Sequence, residues 1–317
     1  ESEDIIDWAK IPGNTKEKLL EIVENASLWT PTEKPLELDD TQQNEKNPIV
    51  RFNLTDLGNA KRLVKQHGKG IRYCYAWKKW LVWDGKTWDI DSNGQILRLA
   101  KDTVKRIYKE SVSIADEEIR KTIAKWAIKS EEEKKLNSMV SLAKNEDGIP
   151  ISPQELDVNP YLLNCLNGTI YLKTEQLKPH DPKNLITKII PVEYDPAAQC
   201  PQWIEFLETI MNWNYDLISF LQRAIGYSLT GDTSEQCLFL LFGVGANGKS
   251  TLLNIISFLL GDFAQTATFD TFLLKNQERS INNDIARMQG NRFISAIEAE
   301  GERRLSEVLI KQLTGGD

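Results

Sequence analysis

The chain lacks any apolar run near the ~20 residues that a membrane-spanning helix requires, so no membrane segment is expected. Cysteine is scarce: Cys74, Cys165, Cys200 and Cys237 stand far apart, with no C-x-x-C pair. Histidine is scarcer, with only His67 and His180. Those shortages argue against a zinc site. Scattered single thiols fit buried apolar positions in a protein of a reducing cytoplasm. The first residues, Glu1-Ser-Glu-Asp, are acidic and lead into no apolar signal segment. They also lack Met, and the sequence stops at Leu313–Asp317, so both ends read as cut from a longer polypeptide. No internal repeat is present.

A net charge of −7 excludes a globally basic nucleic-acid binder, but the charge is unevenly spread. Residues 1–50 hold 5 Lys and Arg against 12 Asp and Glu. Residues 51–129 hold 18 against 9, and residues 130–317 hold 16 against 25. The middle block is where a polyanion would touch; a solvated, lysine-rich helix face explains the same residues.

What the chain does have is a phosphate-loop signature. An apolar run, Leu238–Phe242, leads into Gly243-Val-Gly-Ala-Asn-Gly248-Lys249-Ser250-Thr251, which matches G-x-x-x-x-G-K-[ST]. An amphipathic segment follows, with Leu252, Leu253, Ile255, Ile256, Leu259 and Leu260. Expected here are a buried strand, a turn and a helix. Gly243, Gly245 and Gly248 let backbone N–H groups turn inward, and the helix start favours anions. Asn247 lies within this loop. Lys249 would reach the outer phosphates of ATP, and the Ser250 hydroxyl would hold Mg²⁺. A ligand-free strand-to-helix turn is the plainer alternative.

Such a loop works with carboxylates at the end of a neighbouring strand. Arg292–Ile297 reads as a short strand, and Glu298-Ala299-Glu300 follows. In extended backbone Glu298 and Glu300 point the same way. One could serve the metal and the other the attacking water; an acidic surface loop is the competing explanation.

Elsewhere the periodicity predicts a helix over 15–26, a Pro- and Asn-rich linker over 29–48, and a helix capped at Thr55 and stopped at Gly68. Tyr73, Tyr75, Trp77, Trp80, Trp83 and Trp88 then alternate with Arg72, Lys78, Lys79 and Lys86 around Asp84-Gly85. This predicts an antiparallel meander. Its aromatics suit a sheet core, the commoner use, or a platform that stacks bases between cations. Helices are expected over 95–108, with Ile96, Leu97, Ala100, Val104 and Ile107 on one face, and over 115–143, with Ile119 and Ile123 inward. The run Lys129–Lys135 reads as a solvated helix face. A second hairpin should turn at Asn167-Gly168. After a linker at Asp195-Pro196, two short helices are expected, from Trp203 to Trp213 and from Tyr215 to Leu229.

Taken together, the loop sequence, Phe293–Glu300, Leu305–Ile310 and Lys311–Asp317 resemble phage and plasmid primase-helicases of the poxvirus type, in their superfamily 3 helicase half. The stretches Asn53–Leu63, Trp80–Gly85, Asn167-Gly168 and Phe220–Thr230 resemble the helical domain that precedes that half. The resemblance implies an AAA+-type ATPase that acts as a homo-hexamer on single-stranded DNA, in the cytoplasm of a bacterial host. By motif, Gly243, Gly248, Lys249, Ser250 and Thr251 would bind ATP·Mg²⁺, Glu298 and Glu300 would supply the acidic strand end, and Lys311 would open the third motif. The DNA-lining hairpin, the sensor strand and the intersubunit arginine that the family places after it are missing.

The expected architecture is α/β and α+β multidomain. An N-terminal helix and linker (1–49) precede a mostly helical domain with small β-hairpins (50–195). A helical connector (196–232) then leads to a partial P-loop domain (233–317). Three functions fit: a DNA helicase portion, another P-loop ATPase or kinase, and a DNA-binding or oligomerisation module without turnover, in which Lys78 and Lys79 would contact DNA.

Overall fold

Thr55 starts the first element by physical necessity of its exposed amides. Its Oγ1 accepts from the Gly58 N–H at 3.0 Å, satisfying one of the donors a helix start leaves open. Helix α1 then runs Asp56–His67 and ends at Gly68. The computed structural model describes residues 52–274, 287–288, 290–297 and 304–315, all within the unit Val50–Asp317. The helix expected over 15–26 and the linker over 29–48 lie outside the described residues.

Strands β1 (Ile71–Cys74), β2 (Lys79–Trp83) and β3 (Trp88–Ile90) form the expected antiparallel meander. The β2–β3 turn spans 84–87 rather than two residues, because the Asp84 carboxylate accepts from the amides of Lys86 and Thr87, both at 2.7 Å. Strand β4 (Pro150–Ile151) joins β1 in parallel, which the sequence reading missed.

Between these strands come α2 (Gln95–Val112), α3 (Glu117–Ser130) and α4 (Glu133–Ala143). Ala60 and Leu63 of α1, Ala100 and Val104 of α2, and Met139 and Ala143 of α4 pack on Ile71, Tyr73 and Trp80 of the sheet. Two expected core residues, Leu97 and Ile119, are instead exposed. Ile119 borders an open surface groove with Phe52 and Leu54. The Lys129–Lys135 run is no continuous helix face but the α3–α4 break, and Lys135 turns back to Asp56 at 3.0 Å.

A second antiparallel sheet holds β5 (Leu162–Cys165), β6 (Gly168–Tyr171) and β7 (Gln176–Lys178). Its hairpin turns one residue earlier than expected, at Leu166-Asn167, since Gly168 pairs with Cys165. Gly168 belongs in the strand because any Cβ there would meet the Lys178 carbonyl oxygen at 2.5 Å, at a φ of +155°. The two sheets are tied by Asn164, fully buried, whose amide donates to Lys86 O at 2.9 Å and accepts from Thr169 at 2.8 Å. Trp88 also holds the segment that follows β7, from its backbone N–H to Ile186 O and from Nε1 to Pro182 O.

Helices α5 (Pro201–Ile210) and α6 (Tyr215–Ser228) follow. The first ends three residues short of Trp213, which sits in the connecting turn at a φ of +58°. Then come α7 (Lys249–Leu260), the parallel pair β8 (Ala264–Thr268) and β9 (Phe293–Ile297), and α8 (Glu307–Gly315). Leu252, Ile256 and Leu260 of α7 enter one core with Leu163, Ile170, Leu207, Ile218 and Phe263.

One expected strand is not formed. Residues 238–242 carry no strand pairing, and Leu240 and Phe242 are 73% and 92% exposed. A strand is held by ladder hydrogen bonds to a neighbour, and no described strand lies beside this run.

Candidate functional site

The Gly-rich segment folds as a loop that ends on the first turn of α7. Gly243 and Gly248 take φ values of +148° and +83°, and Ala246 takes +63°. Gly248 is the N-cap of α7 and lies against α5. A Cβ there would meet Ile210 Cγ2 at 2.6 Å and the Phe206 ring at 3.3 Å. Glycine is therefore required twice over at this position, by backbone conformation and by close packing. Gly245 faces open space.

Lys249 folds back over the loop. Its Nζ donates to Gly243 O at 3.0 Å and to Asn247 Oδ1 at 2.8 Å. An ammonium held on neutral oxygens near the open amides of a helix start makes a positive, anion-accepting corner. Ser250 and Thr251 are exposed on the first turn of α7. The loop thus fits phosphate: Gly243 and Gly248 take conformations that favour glycine, the lysine lies over the loop, and the Ser250 and Thr251 side chains are exposed. Glu298 and Glu300 lie outside the described residues. Lys311 is exposed on α8, and Lys78 and Lys79 are exposed at the β1–β2 turn, a separate part of the molecule. Among the described residues, no group of three or more His, Cys, Asp or Glu side chains is placed to hold a metal. No helix among them is long and apolar enough to cross a membrane.

What braces this region was not visible as a motif. Arg292, just before β9, donates to the carbonyls of Leu229 at 2.7 Å, Asn159 at 3.4 Å and Leu162 at 2.5 Å, and lies 4.6 Å over the Phe263 ring. Burial pulls its pKa down to about 10, with Asp157 acting in the opposite direction, and the group stays charged at neutral pH. Gly231 donates to Pro160 O at 2.8 Å, and Tyr161 donates to Asp232 at 2.7 Å. That hydrogen bond lowers the Asp232 pKa. The segment entering the loop is therefore pinned to the second sheet, as is β9. Lys188 adds Nζ contacts to Asp262 O and Asn291 Oδ1, at 3.2 and 3.0 Å. These partners are 63 to 133 residues apart in sequence, so no local pattern announces them.

Comparison with known proteins adds to this geometry. Residues 60–212, from within α1 to just past α5, match the family described as D5 N terminal like. Over 171 residues the chain is 28% identical to a protein named "Putative helicase" of Acanthamoeba polyphaga mimivirus. That match takes in 52% of this chain and 18% of the viral protein, so the chain spans just under a fifth of its relative's length. The chain is thus similar over residues 60–212 to the D5 N terminal like family, and over 171 residues to a protein named a putative helicase.

Proposed function

We propose that this chain is part of an ATP-dependent DNA helicase of a replication protein, with Gly243–Thr251 as its phosphate-binding loop. The observation that carries the reading is Lys249, poised over the Gly243–Gly248 loop at the start of α7. In this role the loop amides and Lys249 hold the phosphates of ATP, and Ser250 holds Mg²⁺; together these ligands draw off charge that develops on the transferred phosphoryl group. Asn247 keeps the lysine directed across the loop until phosphate replaces it. β8 and β9 pair in parallel, and both pack with α7, the helix that Lys249 begins. That supports Glu298 and Glu300 as the carboxylates that follow β9. Arg292 ties the start of β9 to Leu229 and Leu162, and Gly231 and Asp232 tie the segment upstream of the loop to Pro160 and Tyr161. A homo-hexamer acting on single-stranded DNA, with Lys311 in a later motif, completes the reading.

The test is MgATP binding by calorimetry, with Lys249→Ala as the comparison. The variant should bind at least about tenfold more weakly, the scale of one lost charge-assisted contact. Equal binding by both proteins would overturn the assignment of the loop.

A further inference from the structure

The aromatic block of residues 73–88 serves two ends. Tyr73, Trp80 and Trp88 are 7%, 8% and 1% exposed and belong to the core. Tyr75 and Trp77, in the turn between β1 and β2, are 49% and 41% exposed. Tyr75 is held in place: its hydroxyl donates to Asn145 Oδ1, and its ring meets that of Tyr73 edge-on at 4.8 Å. Trp77 has no ring partner and no indole hydrogen bond among the described residues. Around them stand Lys78 and Lys79, both exposed, and Lys144, whose Nζ lies 4.5 Å from the Tyr73 ring centroid. Glu146 and Asp147 follow in the adjoining loop and moderate this positive charge.

The backbone gives a second indication. Lys78 sits at a φ of +54°, where glycine would be at ease and a lysine is strained. Beside two exposed rings, a lysine held in this way keeps its ammonium in solvent, within reach of a bound anion. Lys78 is exposed, and its side chain makes no hydrogen bond or ion pair among the described residues.

We propose that the β1–β2 turn, through Tyr75, Trp77, Lys78 and Lys79, is a contact site for single-stranded nucleic acid. Exposed rings offer stacking faces to bases that are not already stacked in a duplex, and the lysines neutralise phosphates. The site rests on the reading of the chain as part of a machine that acts on single strands. It deepens that reading by locating a contact far in sequence from the phosphate loop.

The test is fluorescence anisotropy of labelled dT and rU 20-mers with the full chain, as a function of salt. Trp77→Ala should weaken binding about tenfold or more, the usual scale for a stacked base. Lys78→Gly keeps the turn's backbone at ease while removing one charge. It should weaken binding and flatten the log–log salt slope by about 0.7, the single-strand value per phosphate contact. Trp213→Ala removes a tryptophan that is 58% exposed at the α5–α6 turn, near Glu208 and Asp216, and should change nothing. A preference for dT or for rU names DNA or RNA as the strand. The proposal is overturned if the wild-type chain binds neither oligonucleotide, or if Trp77→Ala and Lys78→Gly bind as it does while melting normally. MgATP binding is independent of these variants, so its loss or retention judges the phosphate loop alone.

Discussion

The region around the first sheet and the region around Lys249 treat apolar surface in opposite ways. In the first, Ala60, Leu63, Ile71, Ala100, Met139, Ala143 and Ile149 are wholly buried, from three helices, β1 and the residue before β4. In the second, Leu240, Phe242, Val244 and Phe258 are 73%, 92%, 89% and 75% exposed. The first region closes its core with its own elements. The second presents apolar side chains whose burial would need further surface, and it adjoins the Gly243–Gly248 loop. A finished core and an open one within a single unit suggest a rigid platform that carries a working edge.

Thiol chemistry should separate buried from exposed positions most sharply, with Cys165 in the core that α7 shares. Cys74 and Cys165 are buried, while Cys200 and Cys237 are exposed. Burial pushes the Cys165 thiol up to about 11. At pH 8 its thiolate fraction is then roughly a hundredfold or more below that of an ordinary thiol near 8.5. A colorimetric thiol titration of the native chain should therefore show two fast groups, with the other two appearing on denaturation. Four fast groups would break the contrast between buried and exposed positions.

Next in size are two substitutions in buried surroundings. Leu63→Ala should cost about 2–5 kcal/mol in denaturant unfolding, because it opens a cavity in a fully packed site. Arg292→Ala leaves three carbonyls without their donor and should cost about 1–3 kcal/mol. Arg292→Lys should recover little, since an ammonium cannot reproduce the planar fork. By contrast, Phe242→Ser should stay within about 0.5 kcal/mol. If Phe242→Ser destabilised the chain as much as Leu63→Ala, the open edge would be a packed one.

The smallest effect concerns pH. Burial, followed by the Arg106 charge, lowers the His67 pKa, and Asp102 at 3.4 Å opposes them. A histidine with a lowered folded pKa binds fewer protons folded than unfolded in the window just below about 6.5. Stability should thus be flat above that pH and decline below it, toward the lowered folded value. His67→Gln should flatten this slope in thermal melts taken between pH 7.5 and 5.5. A melting temperature that rises as the pH falls through this range, and does so through His67, would reverse the sign.

Local signals were legible in the sequence. Thr55 as a cap, Gly68 as a stop, the meander of 71–90, the strand at 293–297 and helix α7 after Gly248 each follow from neighbours in the chain. What could not be read are long-range events. The parallel pairing of β4, the buried Asn164 that joins the sheets, and Arg292 reaching three carbonyls all depend on partners far along the chain. The 238–242 run has a strand's composition but no neighbour here, and composition alone supplies no ladder. Lys249 and its glycines were evident as a motif. The seat of Gly248 on Ile210 was not, because α5 is a tertiary partner. The division of the aromatics between core and tip likewise needed the register, which puts Tyr73 opposite Trp80 and leaves Tyr75 and Trp77 in the turn.

The central claim is that Lys249 and its loop power movement along a single strand. Steady-state ATP hydrolysis, with and without single-stranded DNA, tests it most directly in the intact protein, with Lys249→Ala as the blank. The account predicts turnover that rises with DNA and disappears in the variant. Turnover that persists in Lys249→Ala, or that is indifferent to DNA, would contradict it.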